Sequence, residues 1–255
     1  MACGTGKTLT SLRIAEHLAG VSGKVLYLVP SLALMSQTVR EWVDNTNLPM
    51  RAFAVCSDSQ VGRRRVKQND LIDMDIMDLV LPATTNAKRL AETATQTGED
   101  AMTVIFATYH SLPTIRDAQQ VHGVADFDIA ICDEAHRTAG ARGIPDTEDS
   151  HFVMIHDQDQ IRADRRLYMT ATPKVYAQQA RTRAGALEGN LCSMEDTEIY
   201  GEVLYEIGFG ESVNRNLLSD YKVIVLSVPA KIAARAANAA PNVTIQMDVE
   251  STAMV

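Results

Sequence analysis

The chain has 255 residues, enough for one large α/β domain or for one domain and part of another. Its 46% hydrophobic and 22% charged residues are ordinary for a globular protein, while the net charge of −8 gives no compositional support for a broad basic face that grips nucleic acid. Four widely spaced cysteines without a C-x-x-C pair exclude a disulfide framework or a cysteine-built metal site, and read as reduced thiols. No apolar run is long enough for a membrane span, no basic region followed by an apolar run marks a secretory signal, and the expected compartment is the cytoplasm.

The chain opens on MACGTGKTLT. Gly4 and Gly6 let backbone N–H groups crowd around phosphate oxygens with no Cβ in the way, and Thr5 sits between them. Lys7 can reach β- and γ-phosphates, and Thr8 can put a hydroxyl on Mg²⁺. The full pattern G-x-x-x-x-G-K-[ST] would need a glycine where Met1 stands. From Thr8 to Gly20 the apolar residues keep helical spacing, and Gly20 is a natural stop; the helix N-terminus favours an anion.

KVLYLVP then predicts a strand buried on both faces, and SLALMSQTVREWV a helix with Ser31 as N-cap and Trp42 as a packing residue. RAFAVCS at 51–57 predicts another strand. The polar stretch after it, with its GRRRVK cluster at 62–67, reads as a solvated loop, with contact to DNA phosphates as the alternative. NAKRLAETATQ predicts a helix, MTVIFATYHS a strand entering a polar turn, FDIAICDEAH a strand ending in acids, and RRLYMTATP a strand ending in small polar residues. The stretch 178–220 is less regular; YKVIVLSVP and AKIAARAANAA add a strand and a helix near the end. His110, His122, His151 and His156 have no ligand spacing with cysteines, so no zinc site is read. Alternation of strands and helices up to about residue 177 predicts an α/β fold with a mostly parallel sheet and helices on both faces.

In that fold, IAICDEAH delivers Asp133 and Glu134 to the carboxyl end of a strand, the edge where ligands sit. Asp133 can hold Mg²⁺ through water, and Glu134 can orient or deprotonate an attacking water. Thr170 and Thr172 in YMTATP follow a strand and can hydrogen-bond to those acids. Phosphate donors and a metal acid in this order are what phosphoryl chemistry uses.

With ACGTGKT, DEAH and TAT in this order, the chain resembles the first RecA-like domain of superfamily 2 helicases and translocases over most of residues 1–210. The phrases VCSD, LPATT, DEAHRT, YMTATPKVY and GFGESVNRNLLSDYKVIVL are similar to the helicases of type III and type ISP restriction–modification systems. The resemblance implies a P-loop RecA-like three-layer αβα domain at 1–210, and at 211–255 a linker and the possible start of a second RecA-like domain. It implies ATP and Mg²⁺ as cofactors, DNA and a second RecA-like domain as partners, and nuclease or methyltransferase modules as candidate attachments. Lys7 and Thr8 match the Walker A lysine and threonine, Asp133 and Glu134 the metal-coordinating aspartate and catalytic glutamate. His136 matches the last DEAH position, linking nucleotide to motion; Thr170 and Thr172 match the coupling motif, where serine is commoner first. Ser31, Thr108 and Tyr109 match strand-contact positions, within segments similar to motif Ia and the T-Y segment.

The resemblance also places a strand and an adenine-contacting glutamine segment upstream of Met1, and an arginine finger in the second domain. Loss of such a finger costs about 10³-fold or more in rate. The chain therefore reads as a fragment or truncated product with impaired hydrolysis. A P-loop ATPase without DNA work, and an inactive helicase remnant, stand as the alternatives.

Overall fold

The computed structural model describes residues 1–56, 83–95, 100–141, 148–176 and 191–220. The GRRRVK cluster and the strand and helix expected beyond residue 220 lie outside them. Met1–Leu218 form one compact unit and Ser219–Val255 a second, of which only the first two residues are described.

Helix α1 (Lys7–Ala19) comes first and stops at Gly20, as its sequence predicts. Strand β1 (Lys24–Val29) follows, buried from Val25 onward. Helix α2 (Leu32–Asn45) is capped by Ser31, whose side chain accepts from the Leu34 N–H at 3.4 Å. Then come β2 (Met50–Val55), a two-residue β3 (Ala83–Thr84) and α3 (Ala87–Thr95). Strand β4 (Met102–Thr108), wholly buried, runs through the 3₁₀ turn Tyr109–Ser111 into α4 (Leu112–Gln120). Strand β5 (Ile129–Cys132) ends in the 3₁₀ turn Ala135–Thr138, and β7 (Arg166–Tyr168) follows a longer 3₁₀ stretch, Glu148–His156. Two-residue strands β6 (Gly140–Ala141) and β8 (Leu191–Cys192) pair antiparallel outside the main sheet. Short helices α5 (Thr197–Tyr200) and α6 (Phe209–Asn214) close the described chain.

The main sheet has six strands in the order β3-β2-β4-β1-β5-β7, and every pairing in it is parallel. The pleat splits β1 between two cores. Val25, Tyr27 and Val29 pack with Leu12 and Ala15 of α1 and Met35, Val39 and Trp42 of α2. Leu26 and Leu28 pack on the other side with Leu90 of α3 and Leu112, Ile115 and Ala118 of α4. The expected three-layer α/β arrangement is therefore present. All strands of a parallel sheet end on one edge, which gathers Ser31, Thr108, Asp133 and Thr170 from four separate stretches of sequence.

Among the described residues no helix is long and apolar enough to cross a membrane.

Candidate functional site

The N-terminal loop turns on two left-handed glycines, Gly4 (φ 77°) and Gly6 (φ 83°), which L side chains rarely adopt. A Cβ at Gly4 would lie 3.1 Å from the Leu218 side chain, while Gly6 opens onto free space. Gly6 caps α1 without a side-chain hydrogen bond, and no acid lies in the first turn. The first amides of α1 are thus left to an outside acceptor. The loop is tied down from both directions: the Met1 amino group donates to the Thr170 carbonyl at 3.1 Å, the Ala2 N–H to Ile207 O at 2.9 Å, and the Thr5 hydroxyl to Ala2 O at 2.7 Å. The Lys7 ammonium donates to the carbonyls of Met1 and Ala2 at 3.4 and 3.3 Å.

Asp133 leaves the end of β5, its N–H bonded to Leu28 O at 2.9 Å and its side chain almost covered at 9% exposure. Burial raises its carboxyl above the usual carboxylate range; the Glu134 N–H on Oδ1 at 3.0 Å opposes that rise, the Glu134 charge adds to it, and the Lys7 charge opposes it. Lys7 and Asp133, 126 positions apart in sequence, therefore act on each other through space.

Glu134 stands in the left-handed region at φ 49°, ψ 45°. For a residue with a Cβ that costs about 1–2 kcal/mol and persists only where the surroundings enforce it, as at sites of function. Its Oε2 lies 3.3 Å from His136 Nδ1. The same His136 nitrogen is 3.0 Å from the Thr170 hydroxyl and 3.5 Å from that of Thr172, and the Thr172 N–H donates to Thr170 Oγ1 at 3.1 Å. One imidazole thus joins the acid turn to the threonine segment.

The three strand-contact positions fare differently. Ser31 is half-buried and spends its hydroxyl on capping α2. Thr108 and Tyr109 are fully buried, so neither side chain is open to a nucleic-acid strand. The Thr108 hydroxyl pairs with Ser111 Oγ at 2.9 Å, and the Tyr109 hydroxyl donates to the backbone carbonyl of Asp133 at 2.8 Å. The sequence signalled neither this bond nor the left-handed Glu134. It also missed the Trp42 indole N–H, which donates to the Thr8 carbonyl at 3.2 Å beneath the start of α1.

The residues present fit a magnesium–triphosphate. Paired left-handed glycines, uncapped amides and a lysine suit phosphate oxygens. Asp133 is a covered carboxylate whose charge a cation would favour, and the Thr8 hydroxyl makes no hydrogen bond among the described residues. No three His, Cys, Asp or Glu side chains gather as a metal cage among the described residues, which is compatible with Mg²⁺ held by one carboxylate, one hydroxyl and phosphates. A cavity of about 590 Å³ beside β2 and β3, lined by Cys56, Asn86, Lys88 and Arg89 among others, shares no residue with this cluster.

The family model described as "Type III restriction enzyme, res subunit" matches residues 1–175. Among solved structures, an ATP-dependent type ISP restriction-modification enzyme, LlaBIII, bound to DNA is 39% identical, with a TM-score of 0.69 over 87% of this chain and 14% of that one. A nuclease-deletion mutant of the type ISP enzyme LlaGI, in complex with a DNA substrate mimic, is 36% identical with a TM-score of 0.62, over 85% of this chain and 18% of that one. Among curated proteins, probable helicases of African swine fever virus are similar: that of the Kenyan pig isolate is 26% identical over 229 residues, 90% of this chain. The chain spans only 21% of that relative's length.

Proposed function

The chain belongs to the family of type III restriction enzyme res subunits, and from that premise we propose that it is the nucleotide-binding domain of an ATP-dependent DNA helicase or translocase of a restriction–modification system. The observation that carries the proposal is the left-handed Gly4–Gly6 turn, tied by the Met1 amino group to the Thr170 carbonyl on the sheet edge that also carries Asp133 and a strained Glu134. The relative described as ATP-dependent and bound to DNA supports the choice of nucleotide and polymer.

When bound, Mg-ATP supplies the transferable phosphoryl group and the cation that neutralises it. The amides of Gly4, Thr5 and Gly6 and the Lys7 ammonium hold the phosphate oxygens. The Thr8 hydroxyl and Asp133 hold the metal. Glu134 orients a water and accepts its proton, and His136 carries the position of that carboxylate to Thr170 and Thr172. A second RecA-like domain completes the cleft, DNA lies along the edge that holds Ser31, and nuclease or methyltransferase modules belong to the larger assembly.

Burial of Thr108 and Tyr109 favours a second reading, a P-loop ATPase without DNA work, because it removes two of three strand contacts. Two assays separate the readings. Mg-ATP should raise the unfolding temperature of the native chain and not of Lys7→Ala, since a ligand of the folded form stabilises it. Hydrolysis stimulated by double-stranded DNA supports the translocase, and equal rates with and without DNA support the plain ATPase. Glu134→Gln should keep the thermal shift and lose turnover; no shift in the native chain refutes both readings.

A further inference from the structure

We infer that Tyr109 is a positioning residue for Glu134: its hydroxyl, by holding the carbonyl of Asp133, keeps the next residue in its left-handed backbone. This rests on the proposed role of Glu134 only for its consequence in hydrolysis; the geometry stands by itself.

The Asp133 carbonyl belongs to the peptide unit that leads into Glu134, so its direction is coupled to the φ of Glu134. Two backbone bonds fix the surrounding turn, Asp133 N–H to Leu28 O at 2.9 Å and Ala135 N–H to Met169 O at 2.9 Å, and the Glu134 N–H, in the same peptide plane as the Asp133 carbonyl, donates only to the neighbouring Asp133 side chain at 3.0 Å. None of them holds the carbonyl of Asp133. That is done by the Tyr109 hydroxyl at 2.8 Å, inside the protein. Tyr109 has little freedom to move, being at 0% exposure with its ring 5.1 Å from that of Phe152. The strain needs such a brace, because a left-handed backbone disfavours a residue with a Cβ by roughly five- to thirtyfold.

Glycine does not feel that strain, so it reports the backbone directly. At an ordinary position Ala outstabilises Gly; at a left-handed one the order reverses. The test is a cycle on the full chain: Glu134→Gly and Glu134→Ala, each with Tyr109 and with Tyr109→Phe, compared by urea unfolding. With Tyr109 present, the Gly variant should exceed the Ala variant by about fivefold in folding constant. With Tyr109→Phe the turn relaxes and the advantage should vanish or reverse. The same advantage in both backgrounds, or none with Tyr109 in place, overturns the inference. Should Tyr109→Phe not fold, 4-aminophenylalanine at position 109 restores a donor to the same carbonyl and should keep the advantage; its loss counts against the inference equally. Unfolding reads the backbone whatever the chain hydrolyses, so a failed cycle leaves the nucleotide proposal intact, and failed nucleotide binding leaves the cycle intact.

Discussion

Trp42→Phe tests how the start of α1 is supported from below. Trp42 is the chain's one tryptophan and is fully buried. Its ring meets Tyr27 at 5.1 Å and Phe106 at 5.5 Å, both edge to face, and its N–H reaches the Thr8 carbonyl. Phenylalanine keeps an aromatic edge but loses the donor, at about 1 kcal/mol. The smaller ring forfeits transfer energy and leaves a void, about 1–2 kcal/mol more. The Thr8 carbonyl still accepts from the Ser11 hydroxyl at 2.7 Å, so no orphaned-acceptor penalty is added. The sum is about 2–3 kcal/mol, or roughly 4–12 °C in Tm for a unit of this size. Urea unfolding followed by circular dichroism measures it, since the substitution removes the fluorescent probe. A loss under about 1 kcal/mol would refute the placement of this ring under α1.

Three further outcomes are expected. Gly23→Ala should destabilise by about 1–3 kcal/mol or more, because its Cβ would sit 2.2 Å from the Ala19 carbonyl oxygen; a neutral result in thermal unfolding contradicts the turn between α1 and β1. Partial burial pushes Glu16 up, but bonds from Arg13, the Asn47 N–H and Thr46 outweigh it and hold its carboxyl below the ordinary value. A depressed carboxylate contributes stability above the unfolded pKa, about 4.3, and loses it as pH falls through the folded value. Glu16→Gln should therefore cost stability at pH 7, with the gap to the native chain closing below about pH 4; a pH-independent gap counts against the carboxylate as its source. Cys3 is exposed in the N-terminal glycine loop, whereas Cys56, Cys132 and Cys192 are buried, and burial pushes the Cys132 thiol up to about 12. Native alkylation should modify Cys3 alone and slow in Mg-ADP; labelling that ignores the nucleotide removes the loop from the site.

The parts of the fold that were legible are those whose burial leaves a linear trace. β1 is covered on both sides, so KVLYLV is a continuous apolar run, and Ser31 announces α2 because its hydroxyl does cap it. α4 was not legible: the polar TYHS suggests a turn, yet the chain passes through a single 3₁₀ turn and restarts on Pro113, a residue suited to a helix's first turn. β3, β6 and β8 are two residues each, too short to show a period. At the site, the glycines, Lys7, Asp133 and Glu134 were legible because their chemistry is local to short motifs. The role of Tyr109 was not: its bond to Asp133 depends on β4 and β5 flanking β1 in the sheet, a matter of strand order that no window of sequence contains.

The lysine at the head of α1 has a consequence for how fast the loop can respond. Its ammonium leans on two neutral carbonyls at 3.3 and 3.4 Å, stretched for a charged donor. Such contacts are weak enough to be surrendered singly. Capture of an anion then becomes an exchange of partners within the loop, with no slow rearrangement ahead of it, and the association rate should follow ionic strength more than temperature.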